Sequence, residues 1–145
     1  MTRTGLGELT PDEAVIARYW REVWTEGQFD VAHEVYAPIY RENLDPPSTP
    51  AKFAAHAAAW SAHFTNFRVD VDELFTAGSR VISRVTYRGR HTGDFKRVPA
   101  RGREFALYGI DIFEFVDGRV VQHWHETDHL ELFLQLGAEL GPGEA

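Results

Sequence analysis

Hydrophobic positions along the chain follow two periods, and the change between them divides it. Thr10-Pro11-Asp12-Glu13 is a helix start: Thr10 caps, Pro11 suits the first turn and Glu13 completes a capping box. Val15, Ile16, Tyr19, Trp20 and Val23 follow at helical spacing, and Gly27 ends the run. Asp30 caps a short second helix, Val31 to Tyr36, which Pro38 stops. Ile39 to Asn43 reads as a short strand, and Asp45-Pro46-Pro47 as a turn. Thr49-Pro50 opens a third helix running to about Phe64, with Phe53, His56, Ala57, Trp60, His63 and Phe64 on one face. From Phe67 the period becomes two. The spacing predicts strands over Arg68 to Phe75, Arg80 to His91, Glu104 to Phe115 and Arg119 to Thr127, with a loop from Thr92 to Gly102. Asp128-His129-Leu130-Glu131 is a second capping box, opening a final helix that ends at Gly137. Three helices, an antiparallel meander and a closing helix make the fold class α+β.

No repeat, linker or low-complexity tract interrupts this order, so the 145 residues read as one domain, with a core from about 10 to 137 and a frayed tail at 141–145. Aromatic residues are abundant, with 10 Phe, 5 Tyr and 4 Trp, enough to line an apolar cavity or fill a dense core. The net charge of −7 argues against a nucleic-acid partner and against anionic membranes. The expected ligand is a small, neutral or weakly charged molecule. There is no cysteine, hence no disulfide, thiolate metal site or cysteine nucleophile. The N-terminus lacks a signal peptide's apolar core, and no apolar run approaches the roughly 20 residues that span a bilayer. A cytoplasmic protein is expected.

Candidate chemistry concentrates in Tyr108 to Asp128, YGIDIFEFVDGRVVQHWHETD. Asp111 stands on its first strand; His123, His125, Glu126 and Asp128 stand on or after its second. Which of them share a face depends on the turn. A two-residue Asp117-Gly118 turn sets Val116 opposite Arg119 and Asp111 opposite Trp124. A three-residue loop sets Phe115 opposite Arg119 and Asp111 opposite His123, with His125 its diagonal neighbour. One residue of slip exchanges the faces. The chemistry favours Asp111 with His125: an imidazole that takes and returns a proton, and a carboxylate that orients it. His123 and His129 read as surface or loop residues, Trp124 as packing, and Asp128 as a helix cap.

On the long helix, His56 sits mid-stripe beside Trp60 and points toward the sheet. His91 ends a strand, at a pocket mouth or in a turn. His123-x-His125 lacks a companion spacing such as HExxH, so no metal is expected, and neither a phosphate loop nor a dinucleotide fingerprint is present.

The helix opening, Gly89-Arg90-His91-Thr92-Gly93, Val98-Pro99, Gly109-Ile110-Asp111-Ile112-Phe113, Asp117-Gly118-Arg119-Val120 and Gln135-Leu136-Gly137 together resemble the SnoaL-like polyketide cyclases of the nuclear transport factor 2-like superfamily. The resemblance spans roughly Pro11 to Gly137. It implies a curved sheet wrapped by helices into a cone, an apolar pocket inside, a homodimer, and ring closure by an aldol reaction without cofactor. It also implies the bulged hairpin register. The family pairs a His on the penultimate strand with an Asp on the last; here those positions hold Asp111 and His125, the two residue types exchanged. Pocket-lining positions of the family fall near His56 and near Glu42 or Asn43.

The expected function is therefore a cofactor-independent cyclase with Asp111 and His125 catalytic, and with His56, Asn43, Trp60, His91 and Glu42 around the substrate. An isomerase, a dehydratase, an epoxide hydrolase using Asp111, Glu126 and Asn43, or a non-catalytic binding dimer are the alternatives on the same scaffold.

Overall fold

The computed structural model describes residues 7–139; the tail expected to fray lies outside them. Helix α1 (Pro11–Arg18) starts as its sequence dictates. The Thr10 side chain accepts the Glu13 N–H at 3.1 Å, and the Glu13 carboxylate accepts the Thr10 N–H at 3.2 Å. The helix then widens into a π-helical segment, Tyr19–Thr25, where one regular helix was expected. Such turns are rare and concentrate at functional sites. Here the segment buries Tyr19, Trp20 and Val23 against the sheet, and Trp20 Nε1 donates to Ser83 Oγ at 3.1 Å.

After a 3₁₀ turn (Phe29–Val31), α2 (Ala32–Val35) is only four residues long. The predicted helix to Tyr36 is corrected: Tyr36 begins strand β1 (Tyr36–Glu42), with Pro38 inside it. Proline is tolerated there because β1 is the edge of the sheet, pairing only with β5. Helix α3 (Pro50–Ser61), capped by Thr49, stops short of Phe64, which instead opens β2 (Phe64–Ala77). Strands β3 (Arg80–His91), β4 (Glu104–Val116) and β5 (Arg119–Thr127) follow, and α4 (His129–Gln135) closes the described chain. The five strands lie in the order β1-β5-β4-β3-β2, antiparallel except for the β1–β5 pair. The fold is α+β, as the pattern implied.

Helices cover one face of this curved sheet. Ile16, Tyr19, Trp20, Ala57 and Phe53 meet Val81, Val85, Phe113 and Phe115 in one apolar cluster. Leu132 and Leu136 of α4 meet Phe64, Phe95, Phe105 and Leu107 in a second. The other face carries paired charges such as Arg84 with Glu73 and Arg88 with Asp70. Among the described residues no helix is long and apolar enough to cross a membrane.

The β4–β5 hairpin follows neither expected register. Its turn is the two-residue one: Val116 pairs with Arg119, and Asp117 and Gly118 take φ of +50° and +78°. Two positive φ values match the twist that a tight hairpin needs, which an Asp-Gly pair supplies. The bulge lies inside β5 instead of in the loop: Phe115 pairs with Val120 and Glu114 with Gln122, so Val121 is the extra residue. Past it Asp111 stands opposite His125, with His123 on the same face.

On that face the packing around Gly109 is tight. A Cβ on Gly109 would lie 2.7 Å from Tyr87 Cε2 and 3.4 Å from Thr127 Oγ1. Tyr87 is wedged against Trp20 and Phe67 and has little room to retreat. Gly109→Ala should therefore cost about 1–3 kcal/mol in urea unfolding; an unchanged midpoint would show that Tyr87 is free to move.

Candidate active site

The helix-covered face of β4 and β5 carries the groups that can move protons. Asp111 and His123 are almost fully buried, at 1% and 3% exposure, and His123 Nε2 meets Asp111 Oδ2 at 2.5 Å. The other ring nitrogen of His123, Nδ1, lies 2.9 Å from the Tyr36 hydroxyl. Burial holds the Tyr36 hydroxyl well above the usual tyrosine range, with Tyr19 and Glu42 adding to it, so it stays protonated. The assignment that satisfies both ring nitrogens has Tyr36 donating to Nδ1 and Nε2–H donating to Asp111. The imidazole is sandwiched as well: Phe113 stacks on it at 4.1 Å between centroids, and Tyr19 meets it edge-on.

Asp111 therefore bonds His123, not His125 as expected. His123, read as a surface residue, is buried. Diagonal neighbours on one face of a sheet are within reach of long side chains, and the imidazole bridges that gap. The second carboxylate oxygen, Asp111 Oδ1, is buried without a hydrogen-bond partner. Its charge pushes the Tyr19 and Tyr87 hydroxyls upward, second to burial in each case.

His125 is the accessible member of the set, its side chain 36% exposed. Its ring lies 5.3 Å from that of His123. Asn43, just past β1, holds it from the edge of the sheet. Asn43 sits at φ +48°, a left-handed conformation that asparagine tolerates better than most residues. From there its N–H donates to the His123 carbonyl at 2.9 Å and its Oδ1 accepts the His125 N–H at 3.0 Å. Its carbonyl accepts Gln122 Nε2 at 3.1 Å. With Oδ1 so engaged, Asn43 Nδ2 is left facing His125 Nε2 at 3.3 Å, which makes Nε2 the unprotonated nitrogen. That bond is long, hence weak. Glu42 Oε2 stands 3.9 Å from the same nitrogen, while Glu42 Oε1 accepts the Tyr40 hydroxyl at 3.0 Å. Tyr40 stacks on Tyr36, closing a ring of contacts back to His123.

The remaining expected residues scatter. His56 is exposed: the buried arc of α3 runs through Phe53, Ala54 and Ala57, which leaves His56 on its flank and not aimed at the sheet. Trp60 is half-buried among Trp24, Phe64 and Phe67. His91 is not at a mouth. It is fully buried in β3 beside Phe64, and neither ring nitrogen has a partner. Trp124 lies on the opposite face under Arg80. Glu126 is exposed there too, so Asp111, Asn43 and Glu126 cannot hold one water between them. Asp128 caps α4, accepting the Glu131 N–H. Tyr36 and Tyr40 also contact the site, and the helix reading that runs to Tyr36 hides them. A strand reading of Tyr36-Ala37-Pro38 would have placed them in alternation with Glu42. Among the described residues no three His, Asp or Glu side chains are grouped to hold a metal.

This arrangement, on this fold, defines a class. The chain belongs to the SnoaL-like polyketide cyclases, whose family model matches residues 14–136. It is similar to the aklanonic acid methyl ester cyclase DauD of Streptomyces sp. (strain C5), 28% identical over 129 residues, covering 84% of this chain and 80% of that protein. The enzyme of the same description, DnrD, from Streptomyces peucetius is 28% identical over 132 residues, covering 84% and 88%. Among solved structures it resembles TsrD from Streptomyces laurentii, with a TM-score of 0.81 and 30% identity over 91% of this chain and all of that one. A putative polyketide cyclase from Acidithiobacillus ferrooxidans shares the fold, with a TM-score of 0.81.

Burial lowers the His125 pKa from 6.5, and His123 lowers it further, against the opposing pull of Asp111 and Glu42. The imidazole is thus neutral, and able to accept a proton, at neutral pH. In the folded chain it binds its proton more weakly than in the unfolded one. Its contribution to stability is therefore complete above pH 6.5 and declines as the pH falls through the folded value. An NMR titration should place the His125 midpoint below 6.5, and Glu42→Gln, by removing a favourable charge, should move it lower still. A midpoint above 6.5, or an upward move in the variant, would contradict this electrostatic account.

Proposed function

We propose that the protein closes a ring in a polyketide-like ester by acid/base catalysis, with His125 as the base. The observation that carries this reading is the position of His125. It is a neutral, partly exposed imidazole whose free nitrogen lies beside an amide donor and in front of a buried carboxylate–imidazole pair. His125 Nε2 takes the acidic proton from a carbon between two carbonyls. The electron pair moves onto one carbonyl oxygen, and Asn43 Nδ2, released from its long bond, donates to the oxygen as charge develops there. The enolate carbon then attacks a second carbonyl of the same molecule and forms the ring bond. His125, now an imidazolium, returns its proton to the new alkoxide, and atoms and charge balance without an outside reagent.

Asp111 supports the imidazolium electrostatically, as the direction of its effect on His125 indicates. It does so from behind His123, not in direct contact as its sequence position suggested. Glu42 supports the same charge from the solvent side. Substrate would enter past His125 and Glu42, the exposed end of the set, and the aromatic wall of Tyr36, Tyr40 and Phe113 would exclude water. The substrate class follows the relatives: a polyketide ester of the kind named for DauD and DnrD. A homodimer and a cytoplasmic location are part of the same reading.

Aklanonic acid methyl ester is the first substrate to test. His125→Ala should lower kcat by about 10²–10⁴-fold, and Asn43→Ala by about 10²-fold or more, with unchanged circular dichroism. Cyclisation by His125→Ala at the parent rate would remove His125 from the mechanism. Product formed in ¹⁸O-labelled water should carry no solvent oxygen at a newly formed hydroxyl; such incorporation would indicate hydrolysis instead.

A further inference from the structure

The basic side chains of this chain are distributed unevenly. Arg18, Arg21, Arg68, Arg80, Arg84, Arg88 and Arg90 each have a carboxylate within 4.0 Å. In contrast, Lys96, Arg97, Arg101 and Arg103 have no carboxylate partner among the described residues, although the chain carries an excess of acid. All four belong to the loop between β3 and β4, and all four are exposed. Elsewhere in the described residues only Arg41, Lys52 and Arg119 share that condition, and they are far apart in sequence.

The loop is built to hold these groups in place. Phe95 and Val98 exchange backbone hydrogen bonds at 3.0 and 2.8 Å, and both are buried in the cluster under α4. Between them Lys96 and Arg97 form the tip, at φ +44° and +69°. That geometry suits Asn-Gly and disfavours long side chains, yet two cations occupy it. Phe95 stacks on Phe133 of α4, which anchors the tip to the helix. Arg101 Nη1 donates to the Gly137 carbonyl at 3.0 Å, and the Arg103 guanidinium lies over the same glycine. A cavity of about 540 Å³ opens here, lined by Lys96, Arg97, Arg101, Phe133 and Gly137. Among the described residues Glu139 is the one acid on the cavity wall; Asp94 of the same loop accepts the Ala100 N–H, and Glu104 is paired with Arg90.

We propose that this cavity binds the phosphate group of a small phosphorylated molecule. Two guanidinium groups and an ammonium, those of Arg97, Arg101 and Lys96, line one cavity from different backbone positions and can meet the several oxygens of a phosphate. Among the described residues Glu139 alone opposes the cations on the wall, so a dianion neutralises the cluster better than a single carboxylate does. Arg101, bonded to the end of α4 through one nitrogen, keeps its other N–H groups for the ligand. The site is separate from His125 and does not depend on the proposed cyclase reaction.

The test is an NMR titration of the whole chain at low ionic strength with inorganic phosphate, phenyl phosphate, benzoate, and vesicles of phosphatidylglycerol and phosphatidylcholine. The proposal requires saturable shifts in the 94–103 amides with phosphate and phenyl phosphate. It also requires benzoate to bind about ten-fold more weakly than phosphate, and the double variant Lys96→Ala/Arg97→Ala, which strips two cations from the wall, to bind phosphate about ten-fold more weakly than the parent. The variant's unchanged His125 titration serves as the check that the fold is intact. Absence of saturation with phosphate, equal affinity for benzoate, an unaffected variant, or binding to the vesicles alone would each overturn it.

Discussion

One buried hydrogen bond, between Asp111 and His123, constrains the centre of this protein. A carboxylate and an imidazole removed from water are costly unless each finds a partner. Here they find one another, and Tyr36 satisfies the remaining nitrogen of the ring. Deleting one member of such a pair typically costs about 3–5 kcal/mol, because the other is left uncompensated. The aromatic side chains around it, Tyr19, Phe113 and Tyr36, then have a fixed wall to pack against.

That bond exists only because of a single extra residue. A two-residue Asp117-Gly118 turn continued in regular register would set Asp111 opposite Trp124 and turn both histidines to the other face. The bulge at Val121 shifts the phase of β5 by one position, and His123 and His125 come round to join Asp111. Asn43 then fastens the re-phased strand to the edge of the sheet, through three backbone-directed contacts made from a left-handed conformation. The site thus depends on local irregularities, a bulge and a left-handed asparagine, carried by an otherwise regular sheet. Such irregularities recur next to active sites because they re-aim side chains.

The same distinction explains what could be read from residues alone. Helix starts at Thr10, Thr49 and Asp128 are local contracts between a side chain and a nearby N–H, and all three caps form. The long strands declared themselves by their period. Which face of the hairpin joins Asp111 was not legible, since a regular two-residue turn sets it opposite Trp124 and one residue of slip brings the histidines round instead. Missed features depended on distant partners. Pro38 signalled a helix stop, yet it sits in an edge strand whose position only the β5 pairing reveals. His56 lay within an apolar stripe, but the helix is rotated so that Ala54 and Ala57 face inward. That His123 and His125 share a face with Asp111 turned on a bulge that nothing in Val120-Val121-Gln122 announces, and the bond to His123 is a diagonal one that the opposite pairing with His125 does not foretell.

In the proposed mechanism His125 meets substrate and the Asp111–His123 pair is the buried support behind it. A crystal structure with a bound, non-cyclisable β-keto ester analogue tests that division most directly. The expected result is the acidic carbon within about 3–3.5 Å of His125 Nε2, a carbonyl oxygen on Asn43 Nδ2, and the Asp111–His123 bond intact. An analogue seated away from His125, or one that separates Asp111 from His123 and bonds the carboxylate itself, would contradict it.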